Sequence, residues 1–323
     1  MTPAAAARHH HDPVDPTLLG DVLDGLAARP RRISSKYFYD ARGSALFEAI
    51  TRQPEYYLTR VELELLATHM PAIAAAVGPD VHVVEYGSGS GLKTGRLLAG
   101  LQDPLAYTPV EISPAALEGC VARLRPRFPR VAMLPLEADF TRPLRLPSPP
   151  REPTRTLVFF PGSTLGNFTP AEAVKLLAAM RETIGRDGRA LVGIDLVKDR
   201  AVLEAAYNDA AGVTAEFTLN LLARLNRELD ADFDLSAFAH QARYVPQCER
   251  IETRIVSLRP QRVHVAGLAF DFAEGEPIEV EYSHKYSDQS FAALAARAGL
   301  EVVDGWGGEP EGFGLRLLRQ AAR

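Results

Sequence analysis

The apolar positions of this chain alternate between two periods in a regular order. A β-branched run, Val81-His82-Val83-Val84, reads as a buried strand, and the glycines that follow carry the backbone into a helix ending near Gly100. Leu105 to Val110 is a second strand, Ser113 to Arg127 a helix capped by Ser113 with Pro114 at its first position, and Val131 to Leu136 a third strand. Thr156 to Phe160, apolar on both faces, a helix Pro170 to Ile184 and a strand Ala190 to Leu196 continue the alternation. Ahead of this block the pattern predicts helices from Pro16 to Leu26, Ala45 to Thr51 and about Arg60 to Val77. After it come helices over 200–230 and antiparallel strands over 243–286, of which Arg250 to Leu258, Gln261 to Val265 and Ile278 to Tyr286 are clearest. A helix Ser287 to Gly299 and strands Leu300 to Trp306 and Phe313 to Arg319 return to the first sheet. The reading is an α/β protein, a doubly wound sheet with an inserted α+β accessory domain. Residues 61–196 plus 287–323 form the sheet domain, 16–60 plus 197–286 the accessory domain, and 1–15 a disordered leader.

Composition narrows the partners. The 323 residues are 46% hydrophobic, enough for a large core, and carry a net charge of −5 without a basic block, which disfavours a nucleic-acid surface. The substrate is expected to be small and the protein monomeric. No apolar run approaches the ~20 residues of a membrane helix. Cys120 and Cys248 lie far apart without a C-x-x-C pair, so neither a disulfide framework nor a metal site is expected, and a cytoplasmic location fits. The triplet His9-His10-His11 falls in the Pro/Ala-rich leader.

The chemistry concentrates after the first strand. Glu85-Tyr86-Gly87-Ser88-Gly89-Ser90-Gly91 is not a dinucleotide fingerprint, because Leu92 or Thr94 falls at its third glycine. It is not a phosphate loop either, since Leu92 precedes Lys93-Thr94 where that motif needs glycine. The remaining pattern, E-x-G-x-G-x-G closing a first strand, looks like motif I of the class I S-adenosylmethionine-dependent methyltransferases; an ordinary glycine-rich turn is the alternative. Glu111, about 20 residues on at the end of the second strand, suits a grip on ribose hydroxyls. Asp139 before Phe140 is either an adenine contact or a solvated loop acid. The loop Pro161 to Pro170 ends a central strand; Gly162 and Gly166 let a ligand approach backbone, and the Asn167 amide can donate to a carboxylate. Of the tyrosines before the sheet, Tyr37 and Tyr57 read as packing residues, while Tyr39 and Tyr56 read equally as packing or as a lid over a ligand.

Six ordered segments carry a closer likeness. They are Lys36-Tyr37-Phe38-Tyr39-Asp40, Pro54-Glu55-Tyr56-Tyr57, Glu85-Tyr86-Gly87-Ser88-Gly89, Gly162-Ser163-Thr164-Leu165-Gly166-Asn167, Asp195-Leu196-Val197-Lys198-Asp199 and Asn226-Arg227-Glu228-Leu229. Together they resemble the histidine N-alpha-methyltransferases of ergothioneine biosynthesis. That resemblance implies a Rossmann-like class I methyltransferase fold, S-adenosylmethionine as methyl donor, and trimethylation of the α-amine of L-histidine to hercynine. It implies that Tyr56, Glu281 and Ser283 receive the imidazole, that Asn167 and Tyr207 hold the α-carboxylate, and that Tyr39 and the Gly162 carbonyl lie near the amine, Tyr39 as the catalytic group. For the donor it implies Gly87 and Lys93 beside the methionyl part, Glu111 at the ribose and Asp139 with Phe140 at the adenine. Thr253 departs from the family pattern, in which methionine often follows Arg-Ile-Glu. The alternatives are the same fold methylating another amino acid such as tryptophan, and a non-catalytic S-adenosylmethionine-binding module.

Overall fold

The structure is a computed structural model that describes residues 15–310 and 312–322. The histidine triplet and nearly all of the expected leader lie outside the described residues. The longer strands in chain order are β1 (Val81–Tyr86), β2 (Ala106–Glu111), β3 (Arg155–Phe160), β4 (Arg189–Asp195), β5 (Phe238–Val245), β6 (Arg250–Ser257), β7 (Pro277–His284), β8 (Leu300–Gly308) and β9 (Phe313–Gln320). The helices are α1 (Pro16–Ala27), α2 (Ala41–Ile50), α3 (Tyr57–Val77), α4 (Leu92–Gly100), α5 (Pro114–Leu124), α6 (Pro170–Ile184), α7 (Arg200–Ala205), α8 (Val213–Glu228) and α9 (Asp288–Arg297).

The main sheet runs β8-β9-β4-β3-β1-β2 with the two-residue strand Ala132–Met133 at its edge. All neighbours from β4 to that edge pair in parallel, and β9 is antiparallel to both β4 and β8. Successive side chains point to opposite faces, so the sheet divides its apolar residues between two cores. Val81, Val83, Leu157, Phe159 and Leu191 belong to one, together with Leu65, Leu66 and Leu97 of α3 and α4. Val84, Val158, Phe160, Val192 and Ile194 belong to the other, with Leu177 of α6 and Phe291 of α9. The alternating pattern read from the sequence therefore corresponds to a doubly wound sheet. The expected strand Val131 to Leu136 is not continuous: only Ala132–Met133 and Leu136–Glu137 pair, each with β2. Pro135 stands between them and has no N–H to give the ladder.

A second sheet has the order Arg31–Arg32, β7, β6, β5. β5 begins at Phe238, before the expected start of the strand region at 243, and Gln261–Val265 is closed into a hairpin by Leu268–Phe272 across the left-handed pair Ala266-Gly267. Residues ahead of the main sheet join this sheet through the parallel pairing of Arg31 with Ile278 and Arg32 with Glu279. Arg31 secures the join. Its guanidinium is 2% exposed, donates to Glu276 Oε1 at 2.8 Å, to the Asp271 carbonyl at 2.6 Å and to the Leu26 carbonyl, and lies 4.4 Å over the Phe272 ring.

Removing that guanidinium strands a carboxylate and two carbonyls that it satisfies. Arg31→Ala is expected to lower unfolding free energy by about 3 kcal/mol, read from the midpoint of urea unfolding at constant slope. A loss under ~0.5 kcal/mol would mean that the join does not depend on it.

Candidate active site

A cavity of about 1040 Å³ opens above the carboxyl edge of β1, β2 and β3 and is covered by residues from α2, the segment before α3, and β7. Its floor is the turn after β1. Gly87, Gly89 and Gly91 take φ values of 75°, 45° and 69°, which bring bare backbone against the cavity and into the first turn of α4. Glu111, at the end of β2, accepts from the Gly89 N–H at 3.1 Å through Oε2 and from the Ile112 and Ser113 amides through Oε1. Its carboxylate is thereby fixed at the cavity wall. Phe140 stacks on Tyr86 with centroids 5.6 Å apart and stands 3.5 Å from where a Gly87 Cβ would be. Asp139 beside it uses Oδ1 to accept from the Thr141 amide and hydroxyl, and Lys93 reaches the cavity from α4. A glycine floor, a carboxylate for vicinal hydroxyls, an aromatic face and an ammonium form a donor set that fits S-adenosylmethionine.

Glu85 lies under this turn, 2% exposed, and receives hydrogen bonds at 2.5 Å from both the Thr94 and Tyr107 hydroxyls. Burial pushes its carboxyl up to about 8, against the opposing pull of the two hydroxyls.

The acceptor side is built by three elements. Asp40 caps α2 by accepting from the Gly43 amide at 2.7 Å and also binds Asn220 at 2.9 Å and Arg227 at 2.6 Å, which ties its neighbour Tyr39 to α8. The Tyr39 ring packs edge-on against Phe47 and Phe217, both at 5.7 Å, and Tyr56 stands 6.3 Å from Phe47. Burial, and then the nearby Glu281 charge, hold the Tyr39 hydroxyl well above its ordinary value, so it is a neutral phenol. The loop after β3 supplies Gly162 at φ 80° and Asn167 at the end of a short 3₁₀ turn, Thr164–Asn167. Gly166 presses this loop onto β7: a Cβ there would meet the His284 carbonyl oxygen at 2.7 Å, and the His284 ring bonds the Gly166 carbonyl at 2.8 Å.

β7 presents Glu281 through a bulge. Glu279 pairs with Arg254 and Glu281 with Thr253, so Val280 is an extra residue. Before the bulge Ile278 and Val280 are buried in the core; after it Glu281 turns to the cavity and Tyr282 outward, where it lies between the Arg32 and Arg250 guanidinium groups. Burial raises the Glu281 carboxyl to about 7, with Lys285 pulling the other way. Asn167 Nδ2 donates to Glu281 Oε1 at 3.4 Å.

The expected site residues thus fall into two groups. Tyr39, Tyr56, Gly162, Asn167 and Glu281 line the cavity together with Gly87, Lys93, Glu111, Asp139 and Phe140. Tyr207 and Ser283 stand behind this wall, 8% and 4% exposed, with their oxygens 2.7 Å apart. Both accept from Lys285, at 3.1 and 2.8 Å, and the same ammonium is 2.7 Å from Asp195 Oδ2. Asp195 also receives the Tyr57 hydroxyl at 2.8 Å and Lys198. Two residues expected at opposite ends of one ligand therefore meet in a single buried network, which periodicity and motif reading did not reveal. Thr253 is 2% exposed, and its hydroxyl has no partner among the described residues. Tyr37 is a packing residue whose hydroxyl donates to Asp21 at 2.6 Å.

A second missed residue is Glu62, whose side chain is fully buried on α3 against Lys93 at 2.5 Å. An acid on the same helix face as Leu58, Leu65 and Leu66 was the available signal.

Against known proteins, a family profile described as histidine-specific methyltransferase, SAM-dependent, matches residues 18–320. The chain belongs to this family. As a member of the histidine-specific methyltransferases it is an enzyme that takes its methyl group from S-adenosylmethionine. It is 41% identical over 303 residues to the histidine N-alpha-methyltransferase of Mycolicibacterium smegmatis, covering 92% of this chain and 93% of that protein. The histidine N-alpha-methyltransferase of Mycobacterium tuberculosis is 39% identical over 302 residues, with coverage of 92% and 93%. Ergothioneine biosynthesis protein 1 of Neurospora crassa is 29% identical over 310 residues, which span 90% of this chain and 33% of that longer protein.

The Glu85 environment of this methyltransferase gives a signed expectation. The folded state holds the Glu85 proton up to about pH 8, whereas the unfolded chain releases it near 4.5, so the folded state binds more protons in between. The contribution to stability is complete below pH 4.5 and is lost as pH rises through 8. Glu85→Gln keeps the shape without the titration. Its melting temperature relative to wild type should rise by at least ~2 °C between pH 5.5 and 8.5, about 1 kcal/mol for a chain of this size. A difference that stays flat with pH would place the charge elsewhere.

Proposed function

We propose that the enzyme transfers three methyl groups in succession to the α-amine of L-histidine, giving hercynine, as a step of ergothioneine biosynthesis in the cytoplasm. The observation that carries this reading is that Tyr39, Tyr56, Asn167 and Glu281 line the same cavity as the glycine turn, Lys93 and Glu111. The names of the relatives agree with it. The unpaired Cys120 and Cys248 suit a reducing compartment, and no helix among the described residues is long and apolar enough to cross a membrane.

In this reading S-adenosylmethionine supplies an activated methyl on sulfur, and the protein's work is alignment and proton handling. Gly87 and Lys93 receive the methionyl part, Glu111 the ribose, and Asp139 with Phe140 the adenine. Glu281 accepts from an imidazole N–H, and Tyr56 closes over the ring. Asn167 donates its amide to the α-carboxylate. Tyr207 and Ser283 contribute from behind the wall, where both accept from Lys285 and one hydroxyl proton serves the bond between them, leaving the other free to point forward. The amine attacks only when unprotonated. Tyr39, a neutral phenol, accepts a hydrogen bond from the amine, and the proton the amine loses goes to water by way of this hydroxyl, with no strong base in the site. The Gly162 carbonyl holds the nitrogen on the other side.

Asn167→Ala and Glu281→Ala should each raise the histidine KM at least about tenfold, the loss of one charge-assisted hydrogen bond of ~1.5 kcal/mol. Unchanged KM in both variants would overturn the assignment. Methyl uptake offered histidine, tryptophan and tyrosine, with products weighed by mass spectrometry, tests the substrate itself. The reading requires that hercynine dominate; tryptophan as the better acceptor, or donor binding without turnover, would replace it.

A further inference from the structure

The donor turn and the acceptor loop meet at one buried carboxylate that lines neither ligand space. Glu62 sits on the apolar face of α3, and its side chain has no exposed area. A lone charge there would be costly, and two partners offset it. Lys93 Nζ lies 2.5 Å from Oε2, and the Gly162 amide donates to Oε1 and Oε2 at 3.0 and 2.9 Å. A third element leaves space for it. A Cβ on Gly193 of β4 would come within 2.4 Å of Glu62 Oε1.

Both partners have freedom of their own. Lys93 has a flexible four-carbon stem, and Gly162 takes a left-handed φ of 80° just after the rigid strand β3. We propose that Glu62 is the positioning residue that fixes the donor site and the acceptor loop relative to each other, one carboxylate holding both the Lys93 ammonium and the Gly162 peptide. The proposal rests on the reading of Lys93 as a donor contact and Gly162 as an acceptor contact. Because alignment of methyl and nitrogen is what the protein contributes, a shared anchor keeps an error at one site from accumulating against the other.

Binding measured by titration calorimetry tests this without turnover, using S-adenosylhomocysteine, and then histidine in its saturating presence. The proteins are wild type, Lys93→Met, Glu62→Ala, Glu62→Gln and the Glu62→Ala/Lys93→Met pair. Lys93→Met and Glu62→Ala should each weaken S-adenosylhomocysteine about tenfold, and the pair should be no weaker than Lys93→Met alone, since Glu62 acts on that ligand through Lys93. Histidine should weaken at least about threefold in Glu62→Ala and in the pair, but not in Lys93→Met. Glu62→Gln, which keeps an acceptor for the Gly162 amide, should bind histidine within about twofold of wild type. If Glu62→Ala does not fold because it strands the Lys93 charge, the pair, which removes both charges, still supplies the histidine comparison. Losses for S-adenosylhomocysteine that multiply in the pair, or histidine binding unmoved in both the pair and Glu62→Ala, overturn the proposal. An unchanged S-adenosylhomocysteine Kd in Lys93→Met overturns the donor reading of Lys93 and the proposal with it, a result distinct from failure of Glu62 alone.

Discussion

Apart from the donor-side Glu111 and Asp139, four carboxylates stand beneath and beside one cavity, and each has to be compensated where it stands. Glu62 from α3 takes an ammonium and an amide. Glu85 from β1 keeps its own proton beside two hydroxyls. Asp195 from β4 is met by Lys285, Lys198 and Tyr57. Glu281 from β7 has Asn167 against it and the Lys285 charge behind. Charges that close in a low-dielectric setting cannot be left to solvent, so the partners are drawn from both sheets and from both sides of the insertion. Lys285, just past the end of β7, thereby reaches Asp195 of β4 and links the two sheets.

The same compensation accounts for the division between wall and backing. Residues whose hydrogen-bonding capacity is only partly used, such as Asn167, Glu281 and Tyr39, face the open space. Residues whose capacity is mostly committed to neighbours, Tyr207 and Ser283, stand one layer back. A layered arrangement of this kind fixes the backing hydroxyls through the Lys285 ammonium, so that the one proton they leave unused is aimed from a fixed position.

Much of this was legible in the residues. The helix and strand order of the main sheet follows from periodicity, since short apolar-rich runs alternate with longer segments apolar on one face. Glu111 and the glycine turn were legible because both sit at strand ends, where spacing along the chain maps directly onto position in space. Pro135 breaks the expected strand for a reason visible in the sequence but outweighed there by its apolar neighbours. Glu62 was signalled only by its place on an apolar helix face, and Lys285 not at all, because Lys93 and Gly162 for the one and Tyr207 and Asp195 for the other are distant in the chain. Glu281 is the most instructive case. Strict alternation along Ile278-Glu279-Val280-Glu281-Tyr282 places that acid with Glu279 on the face away from the cavity, and only the extra residue at Val280 brings it round.

The bulge at Val280 makes the facing of the recognition acid a matter of phase as well as identity. Every side chain downstream inherits its orientation from one inserted unit, much as a reading frame is inherited from one inserted base. Loss of that unit would leave Glu281, Ser283 and all their chemistry in the sequence while turning them to the opposite face of the sheet, away from the cavity. Two chains with identical residues along this strand could therefore differ wholly in what they recognise, and comparing them demands that offsets be matched before letters are.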